Sequence, residues 1–195
     1  MPDADPWAGG DPGSLDDELD RAMLARRTVL LHGTLGDAPI ARAAATLMML
    51  DVSGDERIVV RLTSTRSTVD AGLVLMDTIE ALGVPVDTFG LGTIAGGAIG
   101  VLASGRLRTL APHSRLHLDE PDATVAGRAV DIERALAAHQ AQRDRFTALL
   151  AARTGRPAAH LVAEWATERF LEPTDAVTLG YADGVGPIAK TPKEN

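Results

Sequence analysis

Strand-like runs alternating with helix-like runs predict an α/β fold with parallel strand pairing. Three observations carry that expectation. Short apolar runs at 28–32, 58–62, 84–89 and 115–119 have the length and composition of strands. Between them lie longer segments with helical periodicity, as in Val69, Leu73, Met76, Ile79 and Leu82. The chain has 195 residues, 45% of them hydrophobic, which is enough to close one core without staples.

Residues 1–14, rich in Pro, Gly and Asp, read as a mobile acidic tail before a single domain over 15–190 and a short C-terminal tail at 191–195. An amphipathic segment from Leu15 to Arg27 predicts a short helix. The strand Thr28–His32 is expected to stop at Gly33. Asp37, as cap, and Pro39, in the first turn, open a helix through Leu50. The strand Ile58–Leu62 leads to a helix from Val69 to Leu82 that Gly83 ends, and then to the strand Val84–Phe89. After the strand Arg115–Asp119 the chain reads as mainly helical: 129–154, 157–169 and a short helix from Pro173.

The net charge of −8 is not spread evenly. Seven acidic and no basic side chains occupy residues 1–20, so the remaining 20 acidic groups nearly balance 19 basic ones. No basic cluster points to nucleic acid, and 3% aromatic residues leave few platforms for stacking bases. The absence of cysteine excludes disulfides, thiolate metal sites and a cysteine nucleophile. No apolar run is long enough to span a membrane and no signal-peptide layout opens the chain, so a cytoplasmic protein is expected.

Gly92–Gly105 is dense in Gly and Ala. Such a segment can cradle a phosphate or let helices pack closely. No lysine follows and the glycine spacing fits neither common nucleotide fingerprint, which favours close packing.

Five fragments then stand in a telling order: Val-Leu-Leu-His-Gly (29–33), Ala-Gly-Leu-Val-Leu-Met-Asp-Thr-Ile (71–79), Pro-His-Ser-Arg-Leu-His-Leu-Asp-Glu-Pro (112–121), Val-Asp-Ile-Glu (130–133) and Thr-Glu-Arg-Phe-Leu-Glu-Pro-Thr-Asp-Ala-Val-Thr-Leu-Gly (167–180). Their order and spacing resemble the proteolytic subunit of Clp-type ATP-dependent serine proteases over roughly residues 20–186. The resemblance implies a crotonase-like turn-repeat α/β spiral. It also implies a protruding handle helix, at 129–154, that interdigitates opposed heptameric rings. No cofactor is implied.

The resemblance further implies acyl transfer by a Ser-His-Asp triad. Carried over residue by residue, it places Gly96 at the nucleophile, Asp119 at the base and Glu168 at the orienting acid. The family's Ser-Pro-Gly-Gly oxyanion strip reads Ser64-Thr65-Arg66-Ser67 here. Glycine has no side chain with which to attack, so the expectation is a catalytically inactive subunit with a structural or regulatory role in a ring. That ring would be a homo-oligomer or a mixed assembly with active relatives. Asp119 and Glu168 would then lie side by side, and Arg66 is expected to bridge them.

The same fold leaves other chemistry open. Ser64, Ser67 and Thr93 lie near the expected groove, and a Ser67–His117 pair would make a rewired peptidase, whereas Ser104 should point into packing. Adjacent carboxylates at 119 and 168 would suit a crotonase-like acyl-CoA enzyme. His32, His113, His139 and His160 lack metal-ligand spacing, so no metal is expected. The resemblance assigns the acidic tail to an axial pore; read alone, the tail is a solvated end. The strand Ile58–Leu62 has no aromatic residue, so docking of the family's AAA+ ATPase in the usual way is doubtful.

Overall fold

The computed structural model describes residues 15–119 and 128–187. The acidic tail 1–14, the pair Glu120-Pro121 and residues 191–195 lie outside them. The chain opens with helix α1 (Leu15–Leu24), strand β1 (Thr28–Leu35), helix α2 (Asp37–Val52) and strand β2 (Ile58–Ser67). Helix α3 (Val69–Ala81) follows, then β3 (Val86–Leu91), β4 (Thr93–Gly96) and α4 (Ala98–Ala103). Strands β5 (Arg108–Leu110) and β6 (Arg115–Leu118) precede α5 (Ala129–Thr154) and α6 (Ala158–Trp165). Strand β7 (Arg169–Leu171), helix α7 (Pro173–Thr178) and β8 (Gly184–Val185) complete the mixed α/β order.

One eight-stranded sheet organises these elements, and β2 is its spine. β1 runs parallel along the whole of β2 on one edge. On the other edge β3 pairs with Ile58–Thr63, and β4 pairs with Arg66 and Ser67. Beyond β3 come β5 and β8, all parallel; beyond β4 come β6 and the antiparallel β7. The sheet therefore has two halves joined through β2.

A crease separates the halves. Gly33 on β1, Ser64 on β2 and Gly92 at the junction of β3 and β4 all have positive φ, at 65°, 45° and 63°. The β1–β2 register shifts there, so Ser64 is the extra residue of a bulge. Thus Gly33 does not end the first strand as expected but bends it. The second strand likewise continues past Leu62 to Ser67, because the bulge keeps the ladder going. The Thr65 hydroxyl, donating 2.8 Å to the Leu31 carbonyl, stitches across the bend.

Other boundaries moved for local reasons. Gly36, not Asp37, caps α2; Asp37 stands in the first turn, where its charge meets the positive helix end. Thr68 caps α3 by accepting from the Ala71 amide at 3.2 Å. The Gly92–Gly105 segment splits into β4 and a six-residue α4, buried throughout. Close packing explains its glycines: a Cβ on Gly100 would fall 2.4 Å from the Phe146 ring. The segment expected to be helical over 157–169 ends at Trp165 and returns as β7.

The core lies between the sheet and α2, α3, α4 and the C-terminal half of α5. Ile58, Val60, Leu62, Leu75, Leu102, Leu110, Leu116, Phe146 and Leu150 are all shielded from water. That half of α5 is held there through Phe146 and Leu150. Toward its start Val130 and Leu136 are 54% and 52% exposed, so the helix projects from the body.

Candidate functional site

Past the crease, four strands carry one row of residues. Arg66 on β2 is in register with Ala95 on β4, Ala95 with His117 on β6, and His117 with Phe170 on β7. On parallel strands this row puts Arg66 and His117 on the same side of the sheet, and Asp119 follows His117 by two residues. Arg66 Nη2 donates to Asp119 Oδ2 and lies 3.3 Å from His117 Nδ1. A guanidinium can only donate, so Nδ1 accepts and the ring proton sits on Nε2. That nitrogen faces Glu168 Oε1 at 3.4 Å, without the alignment of a hydrogen bond.

The cluster is therefore a chain: Asp119, Arg66, His117, Glu168. Asp119 and Glu168 do not lie side by side as expected; Arg66 and His117 stand between them. The backbone gives the reason. Glu168 sits just beyond α6 at φ 42°, its amide donating to the Trp165 carbonyl, so it occupies a left-handed cap position. Its side chain is 74% exposed and reaches His117 from the solvent side. Arg66 meets Asp119 from the sheet.

His117 stacks on Phe170 with ring centroids 4.3 Å apart and planes 12° from parallel. The Arg115 guanidinium lies 4.5 Å from the centre of the same ring, and its Nε donates to Thr93 Oγ1 at 3.1 Å. Sequence reading left this Arg115–Phe170–His117 platform unseen. Its signal was the alternation Arg115, His117 on one strand face, which acquires meaning only once β7 pairs antiparallel with β6.

At Gly96 the space for a side chain is closed. Its φ is 58°, and a Cβ there would lie 2.4 Å from the Ser67 carbonyl oxygen. The same oxygen accepts from the Gly97 amide at 2.9 Å, so the N–H following position 96 is committed to the sheet. Ser67 is buried and its hydroxyl has no partner; it makes no hydrogen bond with His117. Ser104 donates to the Gly100 carbonyl within its helix, as its expected place in the packing requires. Among the described residues no three of His, Asp, Glu or Cys are grouped to hold a metal ion.

A second charged cluster braces β7 from beneath. Both Glu164 oxygens take donors from Arg156, Arg169 reaches Oε1 at 2.9 Å, and the Tyr181 hydroxyl is 3.4 Å from Oε2. Burial pushes the Glu164 carboxyl up, but the Arg156 hydrogen bonds and both guanidinium charges outweigh it and hold the carboxyl below its usual range. Burial, then the Glu164 charge, pushes the Tyr181 phenol up. Elsewhere, hydrogen bonds from Arg108 keep the Asp183 carboxyl low despite partial burial.

The Clp protease family model matches residues 13–188. Among curated relatives, an "ATP-dependent Clp protease proteolytic subunit 3" from Rhodococcus jostii is 30% identical over 87% of this chain and 85% of its own. A protein of the same description from Streptomyces avermitilis is 26% identical over 94% and 86%. An "ATP-dependent Clp protease proteolytic subunit 2" from Corynebacterium glutamicum is 27% identical over 96% and 94%. The chain belongs to the Clp protease family.

Proposed function

We propose that this Clp protease family member is a catalytically inactive subunit that serves a structural or regulatory role in a Clp-type ring. One observation carries the reading. The nucleophile position is Gly96, and the Ser67 carbonyl stands where any side chain at that position would have to begin. Covalent catalysis needs an activated nucleophile beside a base. Here the base position is Asp119, committed to Arg66, and the amide after position 96 is spent on Ser67. The half-exposed α5, with Val130 and Leu136 in water, supports assembly through that helix. The test takes the purified protein, alone and mixed with an active family member. Alone it should neither cleave fluorogenic peptides nor react with a fluorophosphonate, and light scattering should report a large oligomer, heptameric or larger. Turnover that survives purification to homogeneity would overturn the inactivity, and a clean monomer at micromolar concentration would overturn the assembly.

A further inference from the structure

His117 meets a different partner at each ring nitrogen. Arg66 Nη2 lies 3.3 Å from Nδ1, and Glu168 Oε1 lies 3.4 Å from Nε2. The partners reach it from opposite sides of β6: Arg66 from β2, across β4, and Glu168 from the turn before β7. They also make opposite demands. A guanidinium needs a lone pair to donate to, whereas a carboxylate needs an N–H. The neutral ring satisfies Arg66 at Nδ1, while the Nε2 side is left without a hydrogen bond.

Imidazole is the side chain whose charge changes between about pH 5 and 8. A proton added to this ring goes to Nδ1, because Nε2 already carries one, and it removes the lone pair that Arg66 uses. The ring then opposes a guanidinium with a donor and a positive charge. At the other nitrogen the N–H of a cation gains a charge-assisted bond to Glu168, whose 74% exposed side chain has room to turn toward it. Asp119 keeps Arg66 paired after the release. Among the described residues, the remaining charge on this face is Arg115 of β6, held over the Phe170 ring. β4 contributes the uncharged Thr93 and Ala95, and Arg169 of β7 is turned to Glu164. We propose that His117 is a proton-operated switch that moves its bond from Arg66 to Glu168. Neutral, it ties the end of β2 to β6; protonated, it leaves Arg66 to Asp119 and ties β6 to the turn that leads into β7.

Double-mutant cycles in the full chain at about pH 8 and about pH 5.5 test the exchange, since ordinary carboxylates stay ionised across that range. His117→Phe keeps a ring against Phe170 and removes both nitrogens. Read as shifts in denaturation midpoint, Arg66→Ala and His117→Phe should be non-additive at the higher pH. At the lower pH they should be additive or coupled with the opposite sign. Glu168→Gln and His117→Phe should behave the other way round, with the larger coupling at the lower pH. The tautomer can be read without any variant. In the chain labelled with nitrogen-15 histidine at the higher pH, the ring identified by its through-space contact with Phe170 should carry its proton on Nε2. A neutral ring protonated at Nδ1 would overturn the proposal, as would couplings that are the same at both pH values.

Discussion

The two halves of the creased sheet are built on different principles, although β2 runs through both. Before the crease, Ile58, Val60 and Leu62 are wholly buried and flanked on both edges by parallel strands. Their stability comes from many apolar contacts, none individually decisive. After the crease, the same strand presents Arg66, and order depends on a few polar pairs. Ser67 Oγ, His117 Nε2 and Asp119 Oδ1 are all buried there without hydrogen-bond partners.

Mutations should separate the halves. Leu62→Ala, in the first, should cost about 3 kcal/mol in chemical denaturation, as deletion from a sealed core does; a cost below about 1 kcal/mol would mean the first half is not the stable one. Gly96→Ser, in the second, should cost about 2 kcal/mol through left-handed strain and the Ser67 carbonyl, and should still leave the protein unlabelled by fluorophosphonate. Labelling after that one change would show that the base and oxyanion positions remain usable.

The brace beneath the second half sharpens the contrast. Glu164→Gln leaves two guanidiniums short of a counter-charge and should cost about 2 kcal/mol. The Glu164 and Asp183 carboxyls are held below their unfolded values, so their stabilisation is present above the ordinary carboxylate range. It should be lost as pH falls through the lowered folded values. Denaturation midpoints across pH 2–7 should therefore sag on the acid side, and less in Glu164→Gln. An acid limb identical in the two proteins would remove Glu164 as a source.

Smallest is the Arg66–Asp119 pair. Arg66 is 40% exposed, so Arg66→Ala should cost about 1 kcal/mol. The cost should shrink in an Asp119→Asn background; a double-mutant cycle without coupling would make Arg66 a bystander.

Much of this is legible in the sequence. Apolar periodicity marked α3, whose buried face repeats often enough to read, and Asp37 with Pro39 marked the start of α2. That glycine stands at 96 and aspartate at 119, the positions the family resemblance assigns to nucleophile and base, was visible as residue identity. Glu168 was expected beside Asp119, but a left-handed backbone at a helix end turns its side chain outward toward His117. The third strand began at Val86 rather than Val84, and β7 starts at Arg169, the last residue of an expected helix. Three-residue strands carry too little pattern to declare themselves; their partners define them.

Residue types along the chain, by themselves, determined the α/β order and the charge asymmetry between residues 1–20 and the rest. Those are properties of composition and local spacing, which need no neighbour to exist. Only the tertiary structure decided that Gly33, Ser64 and Gly92 together crease the sheet. Only it put His117 between Arg66 and Glu168, and the Ser67 carbonyl over Gly96. Strand register brings together residues more than fifty positions apart, and a one-residue shift in register would turn each of them to the other face.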